Sequence, residues 1–345
     1  MEQIEVDTGR LRTHCFTWGP ENGSPVLLVH GNLVTGRFWK AVAELLPKGV
    51  RAVAPDLRGF GRTEAREIDA TGGLRCWSDD LASLVRTLGW ASGRRIHAAG
   101  WSLGGGVLQQ YAIDHPDDLA SLTLVAPLSP YGFGATKDAT GTRTWEDAAG
   151  SGAGVVNPDF VKRLAAGDTS AEDPASSPRV TMRTFFWSPK HTLADEDELL
   201  AEVLLTRTGE GFYPGDSVPS EHWPGTAPGG RGVTNAMAPL HCDTSAIAEL
   251  DPRIPIVWVR GDEDQVVSDT SFFDLGYLGQ LGAVPGWPGA DLCPPQPMLA
   301  QTRAVLERFR ARGGRYREVV LEGHAHGTVV ECPERIAALL AEVLG

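Results

Sequence analysis

Three things are scarce in this sequence, and each shortage closes off a class of protein. No run of about 18 apolar residues occurs, so no segment qualifies as a membrane-spanning helix. The start, MEQIEVDTGRLRTHCF, lacks the basic stretch and apolar centre of a secretory signal, and a cytoplasmic location is expected. Cysteine is sparse. Cys15, Cys76, Cys242, Cys293 and Cys332 are odd in number and scattered, without the close pairs of a zinc site or redox motif, so free and chemically idle thiols are expected. Positive charge is in deficit: 31 Lys and Arg against 44 Asp and Glu leave a formal charge of −13. Such a surface repels phosphate backbones and anionic lipid, which excludes nucleic acid and membranes as expected partners and favours a small neutral or apolar molecule.

What is present suits a globular enzyme. Hydrophobic residues at 42% and charged residues at 22% argue against disorder, and 345 residues suffice for one large α/β domain with an inserted subdomain. Short apolar runs alternate with amphipathic segments through the first 126 residues, as in a mostly parallel sheet covered by helices. SPVLLVHG, VRAVAPD, RIHAAGWS and SLTLVAP read as strands buried on both faces. CWSDDLASLVRTLGW and LGGGVLQQYAIDH carry helical spacing between them. After residue 253 the same grammar returns, with IPIVWVRG and YREVVLEG as strands and PERIAALLAEVLG as a helix opened by proline.

Residues 129–250 break that rhythm. Pro and Gly are dense there, and two helical patterns stand out, PDFVKRLAAG and DEDELLAEVLLTR. This stretch reads as a cap inserted into a core formed by residues 1–128 and 251–345. A second irregular stretch, about 268–297, is too long for an ordinary strand-to-helix loop and is expected to pack beside the cap.

The chemistry is signalled by Gly100-Trp101-Ser102-Leu103-Gly104, a G-x-S-x-G that directly follows the strand RIHAA and precedes a helix. A serine at so sharp a turn is strained, and small neighbours let strand and helix approach while the hydroxyl points outward. Leu28-Val29-His30-Gly31-Asn32 and Asp56-Leu57-Arg58-Gly59-Phe60-Gly61 accompany it in order. Together these resemble the α/β-hydrolase superfamily, with its HG turn and its D-x-R-G-x-G loop, over about residues 3–127 and 253–345. The resemblance implies an α/β-hydrolase fold with a mostly parallel central sheet, helices on both faces and an inserted lid.

It also implies roles. Backbone N–H groups of Asn32 and Leu103 would form the oxyanion hole, supplying preorganised donors where negative charge develops. Ser102 needs a base and an orienting acid, and the family's chain order is serine, acid, histidine. Gly261-Asp262-Glu263-Asp264-Gln265-Val266-Val267 resembles the family's G-x-x-D-x-x-V turn, which selects Asp264 and leaves Asp262 and Glu263 as solvated or turn-forming charges. The base follows the last strand, where His324 and His326 both stand; the family spacing to Glu331 selects His326, with His324 as the alternative.

Other residues read as structural. His30 is expected to be a buried turn histidine, Asp56 and Arg58 to tie a loop beneath the site, Trp39 and Trp77 to pack, and His97 to be a partly covered strand residue. The remaining histidines show no metal-ligand spacing. Trp101, Phe185, Phe186 and Trp187 are candidates to contact substrate, and Tyr131, Phe133 and Trp223 could join them in roofing an apolar pocket.

The implied activity is cofactor-free hydrolysis of a carboxylic ester or lactone through an acyl-enzyme. Haloalkane dehalogenases and epoxide hydrolases share the HG turn and cap but carry aspartate at the elbow. Acyltransferases, carbon–carbon bond hydrolases and cofactor-free perhydrolases keep the serine, and the same fold can serve as a ligand receptor; fold alone does not separate these.

Overall fold

A computed structural model describes residues 1–91 and 93–344. Eight strands form the main sheet: β1 (Glu2–Asp7), β2 (Arg12–Trp18), β3 (Ser24–Val29), β4 (Val50–Pro55), β5 (Ile96–Trp101), β6 (Leu119–Val125), and, after a short separate ribbon of β7 (Ser217–Pro219) and β8 (Thr226–Pro228), β9 (Ile256–Gly261) and β10 (Tyr316–Leu321). Their spatial order is β1-β2-β4-β3-β5-β6-β9-β10. β1 pairs antiparallel with β2 and β2 with β4, and every later pairing is parallel.

The helices are α1 (Lys40–Glu44), α2 (Arg75–Thr87), α3 (Leu103–Asp114), α4 (Pro158–Ala165), α5 (Pro178–Phe185), α6 (Glu196–Val203), α7 (Val233–Ala236), α8 (Leu275–Gln280), α9 (Met298–Ala311), α10 (Thr328–Glu331) and α11 (Pro333–Leu344). None among the described residues is long and apolar enough to cross a membrane.

Continuous apolar sequence becomes central strand for the expected reason. β4 is buried at every position and β3 at all but its first, because helices cover both faces of the sheet. Trp39, Trp77, Trp101 and Trp258 are fully buried in the same core. The six strands foreseen from sequence are all present, and β1 and β2 are additions. Their signal is weak because β1 is a partly exposed edge carrying Glu2, Glu5 and Asp7, while β2 buries Thr13, His14 and Thr17 among its apolar residues. Edge strands tolerate such charge, which also discourages pairing with another chain.

Within 129–250 the two expected helices form, at Pro158–Ala165 and Glu196–Val203, and α5 and the short α7 join them. α4 and α5 begin alike. The Asn157 side chain accepts from Asp159 N–H ahead of Pro158, and the Ser177 side chain accepts from Val180 N–H ahead of Pro178. α5 escapes a periodicity reading because its buried face is short, with Pro178 and Met182 alone fully covered. The stretch 268–297 is not wholly irregular: it holds α8, capped by Asp274, whose carboxylate accepts from Tyr277 N–H at 3.1 Å and Gln296 N–H at 3.0 Å. It meets residues 129–250 directly, with Phe273 against Phe185 at 4.8 Å between ring centroids. All five cysteines are free thiols. The terminal helix runs to Leu344, and Gly345 lies outside the described residues.

Candidate active site

β5 ends at Trp101 and α3 starts at Leu103, so Ser102 alone makes the turn, at φ 57° and ψ −120°. That is a region an L-residue enters at a cost of about 1–3 kcal/mol. Surrounding bonds hold it there: its N–H donates to Val125 O at 2.9 Å, and its carbonyl accepts from Gly105 N–H (2.9 Å) and Leu128 N–H (2.9 Å). Glycine is required on both sides. A Cβ on Gly100 would lie 2.4 Å from Gly104 O, and one on Gly104 would lie 2.3 Å from Val29 O. The HG turn presses equally close, since a Cβ on Gly31 would meet Ser102 Cβ at 3.0 Å.

His30 clamps that turn. It is fully buried, its Nδ1–H donates to Gly31 O at 2.7 Å, and its Nε2 accepts from Leu57 N–H at 2.8 Å. Burial pushes its pKa below the usual histidine value, against the opposing pull of Asp56, so the ring is a neutral connector. Asp56 beneath it accepts from Gly36 N–H, Arg62 N–H and His14 Nδ1–H. Arg58 forms a two-point pair with Asp80 at 2.8 and 2.7 Å, as suits a loop tie.

Asp264 stands on the loop after β9. One carboxylate oxygen accepts from Val266 N–H (2.7 Å) and Val267 N–H (3.0 Å), and the other lies 2.9 Å from His326 Nδ1. The two side chains are 3% and 4% exposed, so the contact is shielded from water. With the Nδ1 proton directed to Asp264, Nε2 remains the ring's acceptor. His326 O accepts from Trp101 Nε1–H at 2.8 Å, which fastens the loop to the residue before Ser102.

The neighbouring candidates have other partners. His324 Nδ1 meets Glu322 O at 2.8 Å, and Asp262 accepts from Gly323 N–H at 2.7 Å. Glu263 remains part-exposed and also gains partners: it accepts from Ser188 Oγ at 2.7 Å and Lys190 Nζ at 2.6 Å, and the Lys190 ammonium holds its pKa below the usual carboxylate value. Glu331 accepts from Ala325 N–H (2.8 Å) and Ser188 N–H (2.6 Å), while burial pushes its pKa up. Gly327 N–H donates to Phe186 O. These bonds stitch the His326 loop to residues 186–190.

Ser102 and His326 border one cavity of about 440 Å³, within the usual range of small-molecule sites of about 300–1,000 Å³. Asn32 and Leu103 border it too, and neither backbone N–H has an acceptor among the described residues. Trp101, Phe185 and Phe186 are in the wall, with Trp101 and Phe186 edge to face at 6.0 Å. Trp187 is not. It is buried, and its ring packs edge-on to Phe186 at 6.0 Å. Adjacent aromatics on a chain leaving a helix point different ways, so one of the pair turns to the core. Phe133 lines the cavity, whereas Tyr131 and Trp223 do not.

Phe160, Tyr213, Phe272 and Phe273 also line it, and no spacing in the sequence marked them; a helical stripe at Phe160 and Leu164 was the only available hint. The wall contains no Asp, Glu, Lys or Arg. Among the described residues, no group of three or more His, Cys, Asp and Glu is placed to hold a metal.

A family model described as the alpha/beta hydrolase family matches residues 26–339. A fluoroacetate dehalogenase of Burkholderia sp. is 33% identical over 133 residues, 38% of this chain and 42% of that protein. A monoacylglycerol lipase of Xenopus laevis is 32% identical over 118 residues, 33% of this chain and 34% of that one. The chain thus spans well under half the length of these curated relatives. Among solved structures, an esterase from Rhodococcus sp. ECU1013 superposes with a TM-score of 0.60 at 19% identity, covering 99% of this chain and 98% of that one; at such identity the likeness speaks for the fold.

Proposed function

The chain belongs to the alpha/beta hydrolase family, and from that premise we propose that it hydrolyses a carboxylic ester or lactone of a small to medium hydrophobic molecule through an acyl-enzyme on Ser102. The observation that carries this reading is the shielded Asp264–His326 contact at 2.9 Å, with His326 bordering the same cavity as the strained Ser102.

Ser102 Oγ attacks the carbonyl carbon while its proton passes to His326 Nε2. Asp264 holds the imidazole in the required tautomer and steadies the imidazolium. The oxygen that gains negative charge is met by the N–H groups of Asn32 and Leu103. As the carbon–oxygen bond breaks, His326 returns the proton to the departing alcohol. Water then gives a proton to His326 and attacks the acyl-enzyme, and the proton returns to Ser102 as the acid leaves. No step calls for a cofactor.

The reading extends to organisation. Residues 1–128 and 251–345 supply Ser102, Asp264, His326 and both N–H donors, whereas 129–250 acts as a cap that, with 268–297, supplies most of the apolar wall. A wall without ionised side chains favours an uncharged hydrophobic substrate. Dehalogenation, the activity named for the Burkholderia relative, fits Ser102 poorly: displacement of a halide by a serine oxygen leaves an ether, which has no carbonyl for water to attack.

The test is a screen of purified protein against p-nitrophenyl esters of increasing chain length, with lactones and amides in parallel, and labelling by a serine-directed fluorophosphonate. Ester turnover and a single label that disappears in Ser102→Ala are expected. Undiminished labelling of Ser102→Ala, or turnover of none of the esters and lactones, would overturn the proposal.

A further inference from the structure

Tyr213 is the anomaly in the cavity wall. The residue is 5% exposed and borders the cavity, yet its hydroxyl has no hydrogen-bond partner among the described residues. The other hydroxyls in the 129–250 wall are mostly engaged: Ser151 Oγ donates to Ala148 O at 2.7 Å and Thr234 Oγ1 to Pro214 O at 2.8 Å. The hydroxyl is not among the unpaired atoms sealed from solvent, so on a residue that borders the cavity it stays open to a partner, which tyrosines in such sites ordinarily find. Tyr213 is also held firmly. Its N–H donates to Arg207 O (3.0 Å), its carbonyl accepts from Gly209 N–H (2.9 Å), and its ring meets Phe160 edge to face at 6.3 Å. A fixed donor on a mostly apolar wall is what a site uses to recognise one polar atom of a ligand.

We infer that Tyr213 is a specificity-determining residue whose hydroxyl donates to a neutral oxygen on the substrate other than the scissile carbonyl oxygen, so that the preferred substrate is an oxygenated hydrophobic ester or lactone rather than a plain hydrocarbon one. The scissile oxygen already has its own donors in Asn32 and Leu103. Burial pushes the Tyr213 phenol pKa up, so it stays protonated at neutral pH and needs an acceptor: an ether, hydroxyl or carbonyl oxygen. An anionic acceptor is disfavoured because no cationic side chain lines the wall. The inference rests on the ester-hydrolase reading for its reaction, but the recognition is separable from it.

The experiment compares p-nitrophenyl octanoate with the set of esters in which one chain methylene is replaced by an ether oxygen at successive positions. An ether costs more to desolvate than a methylene, so a preference for it requires a partner in the site. At one position wild type should favour the ether by about 10-fold in kcat/KM, expressed mainly in KM. Tyr213→Phe keeps the ring against Phe160 and should erase that preference, bringing the ether-to-methylene ratio of kcat/KM to about one or below at every position.

In parallel, calorimetry measures binding of the matching methyl esters to Ser102→Ala with and without Tyr213→Phe. Discrimination there that vanishes in the double variant supports the inference even if wild type cleaves no ester, in which case only the hydrolase reading falls. The inference is overturned if no position is preferred in either assay, if the preference survives Tyr213→Phe, or if that variant loses kcat equally on every ester.

Discussion

Glu331 accepts the backbone N–H of Ala325 at 2.8 Å, one residue before His326, and reaches Ser188 N–H with its other oxygen. A carboxylate with two acceptor oxygens suits two converging donors. Glu331→Gln would turn an amide NH2 toward one of them, at a cost of about 1–3 kcal/mol for the unsatisfied group. Because this residue positions the histidine loop, kcat is expected to fall about 10-fold or more with KM little changed, together with a lower melting temperature. A loss of melting temperature with kcat intact would show that the bond serves stability alone.

The two histidines are expected to separate sharply. His326→Ala should cost about 10³-fold or more in kcat, and His324→Ala far less, since only His326 meets Asp264. Asp264→Asn should likewise exceed Asp262→Asn, whose carboxylate caps Gly323 N–H. Steady-state rates of the four variants decide this, and a reversed order in either pair would move the role to the neighbour.

Aromatics at 185–187 divide by location. Phe185→Ala and Phe186→Ala should change the ratio of kcat/KM between short and long acyl esters by about 10-fold, as an apolar wall contact is worth about 1–3 kcal/mol. Trp187→Ala should leave that ratio unchanged and destabilise the fold by about 3–5 kcal/mol. Specificity ratios and thermal melts on the same three proteins are the check; a shift in ratio for Trp187→Ala would place it in the wall.

His30 makes stability pH-dependent. Its pKa in the fold is lowered by burial, while in the unfolded chain it is about 6.5, so below that pH the unfolded state binds a proton that the folded state refuses. Stability is therefore full above about pH 6.5 and is lost as pH falls below it. The melting temperature of wild type should drop more steeply between pH 7 and 5 than that of His30→Gln. His97, also lowered by burial, accounts for part of the slope that remains. Identical slopes would mean that His30 contributes none of it.

The turn at Ser102 was legible because its demands are local: glycines within two residues on either side, a strand before and a helix after, all adjacent in sequence. Continuous apolar runs announced the central strands for the same reason, since burial on both faces leaves no polar position. The loops bearing Asp264 and His326 were placed by their strands and by family spacing. Between His324 and His326 the residues themselves offered no choice, and the geometry sets them apart because Asp264 lies 62 positions away in sequence yet within 2.9 Å in space.

Sequence alone therefore determined the sheet-borne framework and the positions at which its strands end, since strand, turn and cap preferences act over a few residues. Only tertiary structure decided the wall of the cavity. Phe185 and Phe186 face it while adjacent Trp187 does not, Phe272 and Phe273 arrive from a segment nearly 90 residues later, Glu263 pairs with Ser188 and Lys190, and Tyr213 keeps an unpaired hydroxyl. Phe185 closes a short helix and the others lie outside long periodic elements, so no repeat reveals which way these side chains point. Their placement follows from how two irregular segments pack over the sheet, a sum of long-range contacts that local pattern does not encode.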